Sequence, residues 1–231
     1  AVASSEYDAF LTFTGLEESQ LRRHRLEATP LGTVDLDDWS GIFMGGGPFN
    51  SSDPVDDKSA TQIRVETELA RLLDDVVAQD FPMLGACYGI GTVGTHQGAV
   101  VDRTYSEPIS RVPVSLTEAG VADPLFSAVP ERFDAFVGHK EAISKLPGHA
   151  TLLASSPACP VQAFRVGDHV YATQFHPELD ADGLCLRIET YRHAGYFRPA
   201  EMDGLLTMAR SGEAPAPRRL LRRFVELYAR D

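Results

Sequence analysis

Three short stretches of this sequence place reactive side chains beside backbone that can bend sharply: Gly-Ala-Cys-Tyr-Gly at 85–89, Gln-Phe-His-Pro-Glu at 174–178, and Gly-Gly-Gly-Pro at 45–48. Cys87 stands between two glycines, after an apolar run and before residues compatible with a helix. On such a strand–turn–helix corner a cysteine projects out of the fold, and the N–H groups at the helix start stabilise its thiolate. The alternative is a core cysteine, since free cysteines are among the most buried residues. A nucleophile needs a base. His176 closes an apolar segment, Pro177 stiffens the turn, and Glu178 can orient the imidazole and stabilise its charged form. The alternative there is a surface histidine beside a surface acid, and seven histidines make chance pairings easy. At 45–48 the glycines leave backbone N–H groups free, one of which can join the N–H of Tyr88 as an oxyanion hole. An ordinary turn has the same composition.

These residues require strands that end where the glycine turns begin. Apolar and amphipathic segments alternate along the chain, which predicts an α/β fold with a doubly wound, mostly parallel sheet and helices on both faces. Strands are expected at 41–44, 82–86, 109–117 and 132–139, with a further strand and a hairpin between 151 and 176. The hairpin turns at Gly167-Asp168. Helices are expected at 5–13, 17–22, from Ser59 or Thr61 through 80, and 180–193. The second-last of these carries Ile63, Leu69, Leu72, Leu73 and Val76 on one stripe. Residues 1–195 read as one domain and 196–231 as a helical tail, interrupted by the Pro- and Ala-rich stretch 211–217.

Composition narrows the function. The formal net charge of −12 over 231 residues disfavours nucleic acid and anionic membrane as partners. No apolar run is long enough to span a bilayer, and the first residues lack the basic start of a signal peptide. Three cysteines, an odd and sparse set, point to a reducing compartment and a cytoplasmic protein. Cys159 and Cys185 read as core residues.

With "MGGGP", "LGACYG", "FVGHKE" and "QFHPE" in that order, the chain resembles the class I glutamine amidotransferases, the family of the glutaminase domains of GMP synthetase and carbamoyl phosphate synthetase. The likeness covers roughly residues 39–192. It implies Cys87 as nucleophile, His176 as general base and acid, Glu178 as the residue orienting His176, and Gly47 with Tyr88 as oxyanion-hole donors. The implied reaction hydrolyses the glutamine side-chain amide through a thioester, with no metal or organic cofactor. The ammonia is released or passed to a separate synthetase.

The likeness weakens at the substrate pocket. Gly91 stands where the family usually has the glutamine that holds substrate, and Gly138-His139-Lys140-Glu141 replaces a Ser-His-Gly-Asp type of loop. Gly91, His139, Lys140 and Glu141 are therefore the substrate-binding candidates. Glu141 is expected to meet the substrate amino group and Lys140 its carboxylate, with glutamine bound loosely unless a partner completes the pocket. A hydrolase of another γ-glutamyl amide or peptide, or a non-catalytic binding or regulatory protein, are the competing readings. The family's first, central strand has no counterpart here, so an apolar strand is expected upstream of Ala1.

Overall fold

The computed structural model describes residues 2–192 and 197–230. Its helices are α1 (Val2–Thr14), α2 (Ala60–Ala78), α3 (Tyr88–His96), α4 (Glu118–Ala122), α5 (Ala181–Thr190), α6 (Met202–Arg210) and α7 (Arg218–Tyr228). Its strands are β1 (Ile42–Met44), β2 (Met83–Ala86), β3 (Val100–Asp102), β4 (Glu107–Leu116), β5 (Arg132–His139), β6 (Ala142–Lys145), β7 (Thr151–Ser155), β8 (Ala163–Val166) and β9 (Val170–Thr173). The main sheet runs β1-β2-β9-β8-β7-β4-β5, and β3 pairs with β6 in a separate two-stranded ribbon.

The α/β class is as expected, but the sheet is mixed. Parallel pairing is confined to β1, β2 and β9, while β9-β8, β8-β7, β7-β4 and β4-β5 are antiparallel. The cause is connection length. A parallel partner needs a crossover of a dozen or more residues, whereas β7, β8 and β9 follow one another through short turns. The turn at Gly167-Asp168 is one of them, with Gly167 at φ +57°.

Helices cover both faces. Met83, Val170, Ala172 and Phe164 pack against Leu69, Leu73 and Val76 of α2 and Ile90 and Val93 of α3. On the other face Leu84, Tyr171 and Ala163 meet Phe10 of α1 and Leu220, Leu221 and Phe224 of α7. The last helix is thus part of the main core. The domain boundary expected at 195/196 lies outside the described residues, as does the expected end of α5 at His193.

Three local expectations change. Helix α1 begins at Val2 rather than at Ser5. Residues 17–22 form only a turn, closed by Gln20 N–H to Glu17 C=O at 2.9 Å, because their side chains are largely exposed and no apolar face is available to bury. In α2 Ser59 is the cap, accepting from Gln62 N–H at 3.1 Å, but Ile63 is 44% exposed and Gln62 turns inward instead. The Gln62 amide is held there by Asn50 C=O (2.9 Å) and Glu66 (2.9 Å).

Strand β1 ends the sheet, and a strand of the kind expected ahead of Ala1 would have to pair at its outer edge. A cleft of about 1050 Å³ runs along that edge, past Tyr7, Phe43 and Gly46, to Cys87, His176 and Arg187.

Candidate active site

Because β1, β2 and β9 are parallel neighbours, their carboxyl ends open at one rim of the sheet. The glycine loop 45–47 leaves β1, Cys87 follows β2, and His176 lies just beyond β9. The register sets Met44 beside Gly85 and Ala86 beside Thr173, so all three stretches meet. Cys87 N–H donates to Thr173 C=O at 2.8 Å, and His176 N–H to Phe136 C=O at 3.1 Å. These two bonds tie the cysteine corner to β9 and the histidine to β5.

Cys87 has φ +52° and ψ −93°, a left-handed conformation that side chains rarely adopt. The corner depends on Gly85, because a Cβ there would lie 3.1 Å from the Gly89 Cα. Tyr88 is the first residue of α3, so its N–H has no acceptor within the helix. Cys87 is half-buried, whereas Cys159 and Cys185 are buried in the core, as expected. Burial pushes the Cys159 thiol up to about 12.

His176 and Glu178 are 6% and 1% exposed. Nδ1 of His176 meets Oε1 of Glu178 at 2.7 Å, and a Cβ placed on Gly46 would lie 3.0 Å from His176 Cε1 and 3.7 Å from Cys87 Cβ, which sets the ring and the cysteine side by side against the glycine loop. Burial opposes a charged imidazole, but Glu178 and Cys87 outweigh it and push His176 up to about 10. Burial likewise works against the Glu178 carboxylate, and the imidazolium, its hydrogen bond and Arg187 together hold it down to about 2. A half-buried thiol backed by a buried imidazole–carboxylate pair of this kind can pass a proton to and from the sulfur.

The glycine loop and α3 face each other here. Gly46 N–H is committed to Glu6 Oε1 at 3.2 Å. Gly47 packs against the Tyr88 ring, with its Cβ position 3.8 Å from Tyr88 Cδ1. The Tyr88 ring itself meets Phe49 edge-on at 6.1 Å, and burial raises its hydroxyl further above the ordinary phenol range.

The sequence profile of the family described as "Glutamine amidotransferase class-I" matches residues 14–182. The chain belongs to the class-I glutamine amidotransferases. Among relatives of the family, a glutamine-hydrolysing GMP synthase subunit from Thermoplasma acidophilum is 29% identical over 151 residues, covering 65% of this chain and 68% of the relative. The glutamine-hydrolysing GMP synthase of Streptomyces avermitilis is 31% identical over 142 residues, which are 61% of this chain but only 24% of that protein. In fold, a glutamine amidotransferase from Methylobacillus flagellatus superposes with a TM-score of 0.71 at 19% identity, over 98% of this chain and 90% of the other. One from Thermotoga maritima gives 0.68 at 23% identity, over 84% and 80%.

Within this amidotransferase, the substrate-binding candidates divide. Gly91, Glu141 and the loop after Pro48 come together. Glu141 is buried and accepts Ser51 N–H at 2.7 Å and Ser52 N–H at 2.8 Å, one on each carboxylate oxygen. A Cβ at Gly91 would lie 2.9 Å from Glu141 Oε1 and 3.0 Å from Ser51 Oγ, so the absence of a side chain at 91 makes room for the carboxylate at 141. Lys140 is half-buried on the same loop. His139 does not face the pocket. It is 5% exposed, its Nε2 meets Glu107 Oε2 at 2.9 Å, and its Nδ1 meets Glu141 C=O at 2.9 Å. Its side chain supports the loop from inside.

Glu107, His139 and Cys159 are close enough to share a metal ion, but Glu107 already accepts from Gln162 at 2.7 Å and faces His139 in a closed hydrogen-bonded set. Two residues beside the site escape a motif reading. Glu6 and Arg187 lie 181 positions apart, and Arg187 joins Glu6 to Glu178. Each had a detectable signal: a charge on an apolar helical stripe, Glu6 between Val2 and Phe10, and Arg187 beside Leu184 and Ile188.

Proposed function

We propose that this amidotransferase hydrolyses the side-chain amide of glutamine, with Cys87 as nucleophile and His176–Glu178 as its proton relay. The observation that carries the reading is the left-handed backbone of Cys87 at the start of α3, with Cys87 Cβ and His176 Cε1 both lying against Gly46. The thiolate attacks the amide carbon, forming the C–S bond while the carbonyl electrons move to oxygen. The N–H groups of Tyr88 and Gly47 receive that oxyanion. His176, already holding the thiol proton, delivers it to the amide nitrogen as the C–N bond breaks and ammonia leaves. Water then adds to the thioester. His176 takes its proton, and collapse releases glutamate and restores Cys87.

Lys140 and Glu141 are assigned to the carboxylate and ammonium of the substrate. Glu141 keeps lone pairs for this beyond the two N–H groups it accepts. The chain acts as a free-standing glutaminase unit in a reducing, cytoplasmic setting, and a separate synthetase takes the ammonia. The name of the Thermoplasma relative, one subunit of a glutamine-hydrolysing GMP synthase, supports such a division of labour. Hydrolysis of a different γ-glutamyl amide is the second reading. It is favoured by Glu141 filling the space above Gly91, where relatives of the resembled type carry a glutamine.

Iodoacetamide labelling at neutral pH, mapped by mass spectrometry, tests the nucleophile. Cys87 should react first and Cys159 and Cys185 hardly at all. Faster labelling of either core cysteine would remove Cys87 from the mechanism. Product analysis with glutamine and with γ-glutamyl amides then separates the substrates, and turnover of neither would support a binding role.

A further inference from the structure

Arg187 and Glu6 connect the two halves of the site. Arg187 Nη2 donates to Glu178 Oε1 at 3.0 Å and to Glu6 Oε1 at 2.7 Å. The Glu178 oxygen is the one that meets His176 Nδ1. The Glu6 oxygen is the one that accepts Gly46 N–H. Arg187 Nη1 stands 3.4 Å from His176 Nδ1, and a Cβ on Gly46 would lie 3.0 Å from His176 Cε1. A single guanidinium therefore spans α5, α1, the glycine loop and the histidine turn. Its side chain is 14% exposed and that of Glu6 is 18% exposed.

We propose that Arg187 and Glu6 form a charge-balanced bridge that holds the glycine loop in register with the His176–Glu178 pair, Arg187 acting as a positioning residue. Two requirements meet in it. The donor at Gly47 must sit where oxygen charge develops, and anchoring the preceding N–H on Glu6 fixes that peptide. The imidazole must also give up its proton as well as take one. A carboxylate acting alone on a buried ring would hold the imidazolium too firmly, and Arg187 draws on the same oxygen. Glu6 then returns the negative charge that keeps the cation in place. Burial first, and Glu178 with it, raise the Glu6 carboxyl above its ordinary range, and Arg187 and His176 hold that rise back. The charged or titratable groups around the ring are Cys87 from the corner before α3, Glu178 from its own turn, Arg187 from α5 and Glu6 from α1. Tyr191 acts on Arg187 from the end of α5.

The inference rests on the hydrolytic reading above, and its test needs no substrate. The rate of Cys87 alkylation against pH reports the thiol–imidazole pair directly. Removing a cation beside the pair raises both of its apparent ionisations, and removing an anion lowers them. Arg187→Met should move the profile to higher pH and Glu6→Gln to lower pH, each by roughly one unit. Arg187→Lys should restore much of the parent profile. Profiles that stay in place, or that move in the same direction in both variants, would overturn the bridge. If Arg187→Met fails to fold, the nearly isosteric Glu6→Gln decides alone: a shift to lower pH supports the bridge, and any other result overturns it. Failure of the parent Cys87 to react would instead sink the nucleophile assignment and this inference with it. Opposite shifts without glutamine turnover would leave the bridge standing and refute only the substrate.

Discussion

Glu178 shows how one residue carries two consequences. Its carboxylate is almost fully buried and bonded to His176, and in the proposed mechanism it acts on substrate only through that ring. Glu178→Gln should therefore lower kcat by roughly a hundredfold or more with a much smaller change in KM. A large rise in KM at unchanged kcat would place Glu178 in the substrate pocket. The same pair also contributes to stability in a defined pH window. The imidazole is raised from 6.5 to about 10, so its contribution is complete below 6.5 and fades as pH rises toward 10. The carboxyl is lowered from 4.5 to about 2, so its contribution is complete above 4.5 and fades as pH falls toward 2. In urea unfolding, the advantage of the parent over Glu178→Gln should be greatest between those limits and shrink outside them. At this scale the proposed triad was legible, because cysteine, histidine and glutamate each stand in a turn motif. The Arg187–Glu6 pair was not, because a charge on an apolar helical stripe marks a buried ion without naming its partner 181 positions away.

At the scale of elements, the site depends on the ends of strands. Strand β5 ends at His139, and its last residue is held from behind by Glu107 at the start of β4. Gln162 reaches the same Glu107 oxygen at 2.7 Å, so three elements converge on one buried carboxylate. Glu107→Ala takes the partner from His139 Nε2 and one of two acceptors from Gln162 Nε2 in the interior, and should cost about 3 kcal/mol in urea unfolding. The loop carrying Lys140 and Glu141 should loosen with it, raising KM. A loss below about 0.5 kcal/mol, the range of a surface change, would show that the strand end does not depend on this cluster. Most strands were legible as apolar runs before glycine turns, and the hairpin at Gly167 by its turn residues. Strand direction was less so. Alternating helix and strand patterns suit a parallel sheet, but short links at 156–162 and 167–169 compel antiparallel neighbours. The β3-β6 ribbon was missed altogether, because a pair of three and four residues has too little periodicity to read.

Taken whole, the molecule sets the proposed catalytic residues at the ends of its parallel strands and frames them with antiparallel ones. β1, β2 and β9 present the glycine loop, the cysteine and the histidine at one rim, while β4 and β5 carry Glu107 and the 139–141 loop, whose Glu141 accepts from the backbone of Ser51 and Ser52. Helix α7 closes the face opposite α2, where the Phe224 ring meets Phe43 of β1 at a tilt of 52° with centroids 4.8 Å apart. None of the described helices is long and apolar enough to cross a membrane. The family likeness was legible because its motifs lie at strand ends, where backbone geometry restricts residue choice most. The pocket was less legible, since Glu141 fits above Gly91 through contacts with the backbone of Ser51 and Ser52, which sequence spacing does not display. The central claim is that Cys87 cleaves the glutamine amide. Glutamate and ammonia released by the purified chain from glutamine, compared with Cys87→Ala, measure it most directly. Equal amounts of both products are expected from the parent and none above background from the variant. Glutamine turnover that survives in Cys87→Ala, or a parent that alkylates at Cys87 yet leaves glutamine intact, would contradict it.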